Sequence, residues 1–390
     1  MRILLWMGGS FDRRTPSEHL LTAIVEALYA KGHSVYVVQK DTFSGQPHLP
    51  AALEQLGVET LCIPSPMQAK SNFIARYLAD VKYILSCRKA LREIGTFDSI
   101  FVQSNNVAGL IIRMLRKTFP KTRIVFNIQD IFPYNAGYIG SLPLKSLPFK
   151  ILNAIQRYGY RHADRLITIS EDMKDQLVEA GAEAEKIDVI YNWSYQDTLY
   201  DPDEMHNEVI DGYLTPDCFN VVYAGNIGAL QNVEIVVEAA RILQNESGIR
   251  FHIFGDGLYK EKLAQQGEGL SNLKFWPIQP SHLAPCIYAT ADVNVIPLMK
   301  NIYRTALPSK TATCLACQKP IVFCLGNESK FAQEAYERGY EMTDTNNAQQ
   351  LAESIVRIRN GRKPEAGEWF SVQFSKTRNS QKYAQIICQK

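Results

Sequence analysis

At 390 residues the chain exceeds the size at which one hydrophobic core keeps growing, so two domains of roughly 180 residues each are expected, both able to fold without staples. Its 46 % hydrophobic and 21 % charged residues exclude a disordered chain, whereas a net charge of +2 excludes no class of partner. No run of eighteen apolar residues occurs, and the start MRILLWMGGS has neither the basic segment nor the cleavage site of an export signal, so an intracellular protein is expected.

The chain opens as strand, glycine loop and helix. Residues 2–7 are apolar, Gly8-Gly9-Ser10 breaks them, and Thr15-Pro16-Ser17-Glu18 offers a cap, a first-turn proline and a capping-box glutamate. Leu20, Leu21, Ile24 and Leu28 recur at helical spacing until Gly32, and a strand at 35–38 completes a βαβ unit. β-branched runs at 99–102, 124–127 and 166–169 alternate with helical stretches at 107–117 and 148–162, which predicts a parallel sheet covered by helices. Residues 192–217 then turn polar and read as a linker. Beyond them the rhythm restarts, with strands at 221–224, 251–254, 293–297 and 321–324 and a terminal helix near 375–388, so two sheets of one type follow in tandem.

Between residues 66 and 157 fourteen basic residues face four acidic ones, a net of +10 that gives the first domain a basic sector. The eight cysteines are scattered and sit in apolar stretches, as reduced core thiols do. Cys314 and Cys317 form a C-x-x-C, but no second pair or nearby histidine completes a zinc site, and a packed helix face is the expectation.

In parallel sheets, ligands collect at loops after the carboxyl ends of strands. Neither Gly8-Gly9-Ser10 nor Gly225-Asn226-Ile227-Gly228 matches the dinucleotide pattern, and each also reads as a turn that only reverses the chain. Leu307-Pro308-Ser309-Lys310 is more specific. Pro308-Ser309 opens a helix, so Lys310 is expected to project from its first turn, where a diphosphate would be favoured. A solvated surface lysine is the plainer alternative.

The segments YAGNIGALQNVEIVVEAA, FHIFGDGLYKEKL and LPSKTATCLACQKPIV, in that order, resemble the donor half of glycosyltransferase family 4, especially its bacterial polysaccharide branch. NIQDIFPYNAG and ADRLITISEDMKDQLVEAG are similar to the family's first half, and the likeness spans nearly the whole chain. The resemblance implies an α/β protein of the GT-B class, with two Rossmann-like domains whose parallel sheets face a central cleft. Residues 1–198 would bind the acceptor, 199–371 the nucleotide sugar, and the helix at 372–390 would pack back on the first domain.

The same resemblance implies retaining transfer of a hexosyl or N-acetylhexosaminyl group from a nucleotide diphosphate sugar, with no metal or other cofactor, onto a lipid-linked or oligosaccharide acceptor. Without a metal, protein cations and backbone donors must stabilise the departing diphosphate. Lys310 and Arg304 are the candidate catalytic cations; Gly9, Gly225, Asn226, Gly228, Asp256, Pro308 and Ser309 are further donor-binding candidates. Gln231, another candidate, falls where many relatives carry lysine. The wider family has two glutamates around the P-S-K run; Thr305 and Thr313 occupy those positions, leaving Thr313 as a neutral donor-side candidate.

On the acceptor side, Asp130 follows a strand and is the candidate group to orient or deprotonate the attacking hydroxyl, the alternative being a turn cap. His19 reads as a surface or capping residue, and Asp256 chiefly as a turn former. Residues 73–92 mix Phe73, Tyr77, Val81, Ile84 and Leu85 with Arg76, Lys82, Lys89 and Arg92, as helices at the inner membrane face do; a solvated outer face is equally compatible. No nucleic-acid partner is expected, because stacking platforms with basic spacing are missing from the sequence. Two other classes stay open: a non-catalytic GT-B scaffold, and a nucleotide-sugar epimerase.

Overall fold

A computed structural model describes residues 1–11, 18–41, 49–65, 73–361, 364 and 367–389, with residues 41 and 73–77 described by backbone alone. The chain divides into two compact units, Met1–Asn192 with Lys376–Lys390, and Trp193–Ser375.

The first unit is built on seven parallel strands, β1 (Arg2–Trp6), β2 (Ser34–Asp41), β3 (Glu59–Pro64), β4 (Ser99–Gln103), β5 (Arg123–Ile128), β6 (Arg165–Thr168) and β7 (Ile187–Val189), ordered β3-β2-β1-β4-β5-β6-β7. Its helices before the crossover are α1 (Glu18–Ala30), α2 (Ala51–Gln55), α3 (Phe73–Ile94), α4 (Ala108–Thr118), α5 (Tyr134–Tyr138), α6 (Leu147–His162) and α7 (Glu171–Glu179). Strand order reverses between β1 and β4, which opens a crevice at their carboxyl ends. Ile3 to Trp6 are all buried, as expected of a strand covered on both faces. Helices α4 and α6 meet backbone to backbone: a Cβ on Gly109 would lie 1.7 Å from the Ile155 carbonyl oxygen.

The terminal helix Lys376–Cys388 packs on α1, burying Tyr383, Ala384 and Ile387. Tyr383 stands edge-on to Phe101 and donates its hydroxyl to Asn127 Oδ1 at 3.0 Å. The expected capping residues Thr15, Pro16 and Ser17 lie outside the described residues, as do Lys70 and the Phe73, Arg76 and Tyr77 side chains.

The second unit repeats the plan with six parallel strands, β8 (Phe219–Ala224), β9 (Ile249–Phe254), β10 (Leu273–Trp276), β11 (Val293–Pro297), β12 (Ile321–Cys324) and β13 (Glu341–Met342), ordered β10-β9-β8-β11-β12-β13. Among its helices are α8 (Glu208–Asp211), α9 (Glu234–Ile242), α10 (Lys260–Gln266), α11 (Ala284–Thr290) and α12 (Lys310–Ala316). Here the order reverses between β8 and β11.

The segment 192–217 is not a free linker. Trp193, Tyr200 and Ile210 are buried, the Tyr200 amide donates to the Ala316 carbonyl at 2.8 Å, and Gln318 Nε2 donates to the Tyr200 carbonyl at 2.8 Å. Residues 193–198 cluster with the second unit, not the first. At the other end, Ser375 Oγ donates to Asp197 at 2.8 Å and Phe374 stands edge-on to Trp369, so residues 372–375 also belong to the second unit.

Candidate functional site

The second unit's chemistry gathers where β8 and β9 end. The buried Tyr223 on β8 donates its hydroxyl to the Asn226 carbonyl at 2.5 Å, pinning the loop Gly225-Asn226-Ile227-Gly228. This loop interlocks with Gly255-Asp256-Gly257: the Gly225 amide donates to the Phe254 carbonyl at 2.9 Å and the Ile227 amide to the Asp256 carbonyl at 2.8 Å. The contact explains the glycines. A Cβ on Gly255 would stand 2.0 Å from the Gly225 carbonyl oxygen, and one on Gly257 2.5 Å from that of Ile227. Two loops therefore present backbone, not side chains, at the carboxyl edge, and the amides of Asn226 and Gly228 have no protein acceptor among the described residues.

Lys310 starts α12 but does not project from it. Its stem is partly exposed, and its ammonium turns inward to lie 3.8 Å from the centre of the Tyr223 ring, buried, with no hydrogen-bond acceptor among the described residues. The same nitrogen would be 2.8 Å from a Cβ on Gly225, whose φ is +147°. Burial lowers its pKa to about 8. A cation held against a π face without a carboxylate lacks its natural partner, and bare loop amides lie beside it. That combination suits an anion.

The other donor-side candidates divide. Asn226 Nδ2 donates to Gln231 Oε1 at 3.0 Å, so Gln231 braces the loop as a neutral residue. Asp256 is exposed and accepts the Gly257 amide at 2.9 Å, the turn-forming role expected of it. Pro308 and Ser309 precede α12, where Ser309 makes no capping bond, and Arg304 closes the turn Ile302–Arg304 on the same connection. Thr305 is fully buried and donates to the Ile302 carbonyl at 3.0 Å; Thr313 is buried with the Ser194 hydroxyl 3.5 Å away. Both threonines thus serve local packing. Gly9 belongs to the first unit, where its carbonyl accepts the Lys40 amide at 3.1 Å. Cys314 is buried on α12 and Cys317 is buried just past its end, burial pushing the Cys314 thiol up to about 12, and all eight cysteines are free.

In the first unit Asp130 follows β5 and caps no helix: α5 begins after Pro133 without a side-chain cap. Its carboxylate is exposed and has no partner among the described residues, yet the surrounding protein desolvates it and raises its pKa to about 7. The backbone on either side is fixed. Ile131 is buried, and Gln129 enters a polar cluster in which its Nε2 donates to Asn127 Oδ1 at 3.2 Å and its Oε1 accepts from Asn192 at 2.8 Å. Tyr383 of the terminal helix completes that cluster, a role no local signal announced. His19 sits half-buried in the first turn of α1.

Comparison with known proteins agrees with this reading. A Glycosyl transferase 4-like domain matches residues 18–193, and a Glycosyl transferases group 1 domain matches residues 218–360. The chain is 31 % identical over 205 residues to the putative colanic acid biosynthesis glycosyl transferase WcaI of Escherichia coli K12, across 50 % of this chain and 47 % of that one, about half the relative's length. It is 22 % identical to the probable glycosyltransferase WbjE of Pseudomonas aeruginosa, covering 72 % of this chain and 71 % of the relative. Among solved structures, Anabaena HepE in complex with UDP and glucose aligns at a TM-score of 0.65 with 17 % identity, over 99 % of this chain and 95 % of that one. WaaG, a glycosyltransferase involved in lipopolysaccharide biosynthesis, aligns at 0.65 with 14 % identity over the whole of both. The fold is GT-B.

Proposed function

Because the chain belongs to glycosyltransferase family 4, in its bacterial polysaccharide branch, we propose that it is a retaining enzyme that moves a hexosyl or N-acetylhexosaminyl group from a nucleotide diphosphate sugar to a lipid-linked saccharide or polysaccharide precursor at the inner membrane face. The observation that carries this reading is the buried Lys310 ammonium, without an acceptor, beside the bare amides of the Gly225 loop. The UDP and glucose bound by HepE support a nucleotide-sugar donor here.

In the proposed reaction the acceptor hydroxyl oxygen bonds to the anomeric carbon as the bond from that carbon to the β-phosphate oxygen breaks. The bonding pair leaves with the nucleotide diphosphate, whose growing charge is met by Lys310, by Arg304 and by the Asn226 and Gly228 amides in place of a metal. Asp130, ionised above about 7, accepts the hydroxyl proton. Retention requires that the acceptor approach on the face from which the diphosphate departs.

The test is transfer from a panel of nucleotide sugars to a bacterial lipid extract, with anomeric analysis of the product. Transfer with retention is expected; inverted product would remove the retaining assignment, and donor conversion without acceptor would mark an epimerase. The buried hydroxyls of Thr305 and Thr313 favour a second reading, a scaffold that binds nucleotide without chemistry. Nucleotide binding with no transfer from any donor would establish it.

A further inference from the structure

Gln129, the residue before Asp130, has its side chain held from several directions within the first unit. Its Nε2 donates to Asn127 Oδ1 at 3.2 Å and to the Tyr383 hydroxyl at 3.4 Å, and its Oε1 accepts from Asn192 Nδ2 at 2.8 Å. Tyr383 donates in turn to Asn127 Oδ1 at 3.0 Å, which closes a triangle, and Asn127 Nδ2 donates to Gln103 Oε1 at 2.6 Å. The terminal helix grips the same cluster a second time. Asn379, one turn before Tyr383, donates its Nδ2 at 3.0 Å to the carbonyl of Tyr191, the neighbour of Asn192. Asn127, Asn379 and Tyr383 are each at most 2 % exposed. The main chain is fixed as well, because the Gln129 amide donates to Ser104 Oγ at 3.1 Å.

Docking a helix needs no such polar network. Ala384 and Ile387, fully buried on the same helix, supply apolar contact, whereas buried amides and hydroxyls must each find a partner or destabilise the fold. What the network adds is direction. Gln129 is fixed on one side of Asp130 and the buried Ile131 on the other, so the carboxylate between them, without a partner of its own among the described residues, is aimed by its neighbours. Burial alone raises its pKa, with no charged group contributing among the described residues, so the proton affinity of Asp130 reports how closely protein surrounds it. We propose that Tyr383 is a positioning residue that, through Gln129, sets the Asp130 carboxylate for proton transfer from the acceptor, making the terminal helix part of the acceptor-side machinery. This rests on the proposed function only in taking Asp130 as the acceptor base.

The test uses the full-length chain with carboxyl-labelled aspartate, titrated by carbon NMR, the Asp130 signal being identified by its loss in Asp130→Asn. Tyr383→Phe removes the hydroxyl and keeps the ring that stands edge-on to Phe101. A loosened Gln129 admits water, so the Asp130 midpoint should fall from about 7 by about one pH unit or more. Ile387→Val, which loosens the same helix at an apolar residue, should leave the midpoint in place. An unmoved midpoint in Tyr383→Phe, or an equal fall in both variants, would overturn the proposal. In transfer assays Tyr383→Phe should lower kcat about tenfold with KM for the donor unchanged, and should lower it no further in the Asp130→Asn background. Additive losses would also overturn it. Full turnover by Asp130→Asn alongside a shifted midpoint counts against Asp130 as the base and leaves the hold of Tyr383 on Asp130 standing.

Discussion

Replacing Lys310 by methionine keeps an unbranched stem of similar size over the Tyr223 ring and removes the charge. Burial lowers the lysine from an ordinary 10.5 to about 8, and at about 1.4 kcal/mol per unit the buried charge destabilises the nucleotide-free fold by about 3 kcal/mol. Contact with the ring offsets about 1 kcal/mol, leaving about 2 kcal/mol that the variant should recover. For a unit of this size that is a rise in melting temperature of roughly 4–8 °C near pH 7. The sign follows from proton uptake: between about 8 and 10.5 the unfolded chain holds the Lys310 proton and the folded chain does not, so wild-type stability rises with pH across that window and the variant's does not. Thermal unfolding of both chains from pH 7 upward, without nucleotide, measures a gap that should close as the lysine loses its proton in both states. Saturating nucleotide diphosphate should reverse the order, because only lysine gains a partner. A variant less stable than wild type at pH 7 without nucleotide would refute the reasoning.

Turnover should rise with pH through about 7 as Asp130 ionises, and Asp130→Asn should lower kcat about a hundredfold or more while nucleotide binding is kept, read from initial rates and a melting shift; a flat profile contradicts the assignment. Gly225→Ala would set a methyl 2.8 Å from the Lys310 nitrogen at a φ of +147°, so the melting shift produced by nucleotide should largely vanish, and an unaltered shift counts against the loop geometry. Gly109→Ala would drive a methyl into the Ile155 carbonyl, forcing α4 and α6 apart, and should lower stability by about 2 kcal/mol or more in urea unfolding. A change within about half a kcal/mol would mean the helices yield freely.

The interior of each sheet was legible because strands covered on both faces need continuous apolar runs; the strand read at 293–297 coincides with β11 and that at 321–324 with β12. The edges were not. In β3 the run ETLCIP is only half-buried and in β10 LKFW carries an exposed lysine, so neither showed the run that marks an interior strand. The polar composition of 192–217 outweighed Trp193, Tyr200 and Ile210, which anchor the segment through tertiary contacts that no local pattern encodes. Glycines at 225, 255 and 257 read as breaks, but the cause, backbone packed on backbone from two strands, joins residues distant in sequence. Lys310 was identified from its own run, whereas its direction depends on Tyr223, on another strand, and a helix-start lysine read alone points outward.

Calorimetric titration of the wild-type chain and of Lys310→Ala with UDP, GDP and dTDP bears most directly on the idea that a buried ammonium and two bare amides hold the departing diphosphate. Wild type should bind at least one of the three, with Kd raised about tenfold or more in the variant. Equal affinity in the two chains, or no heat of binding with any of the three, would contradict it.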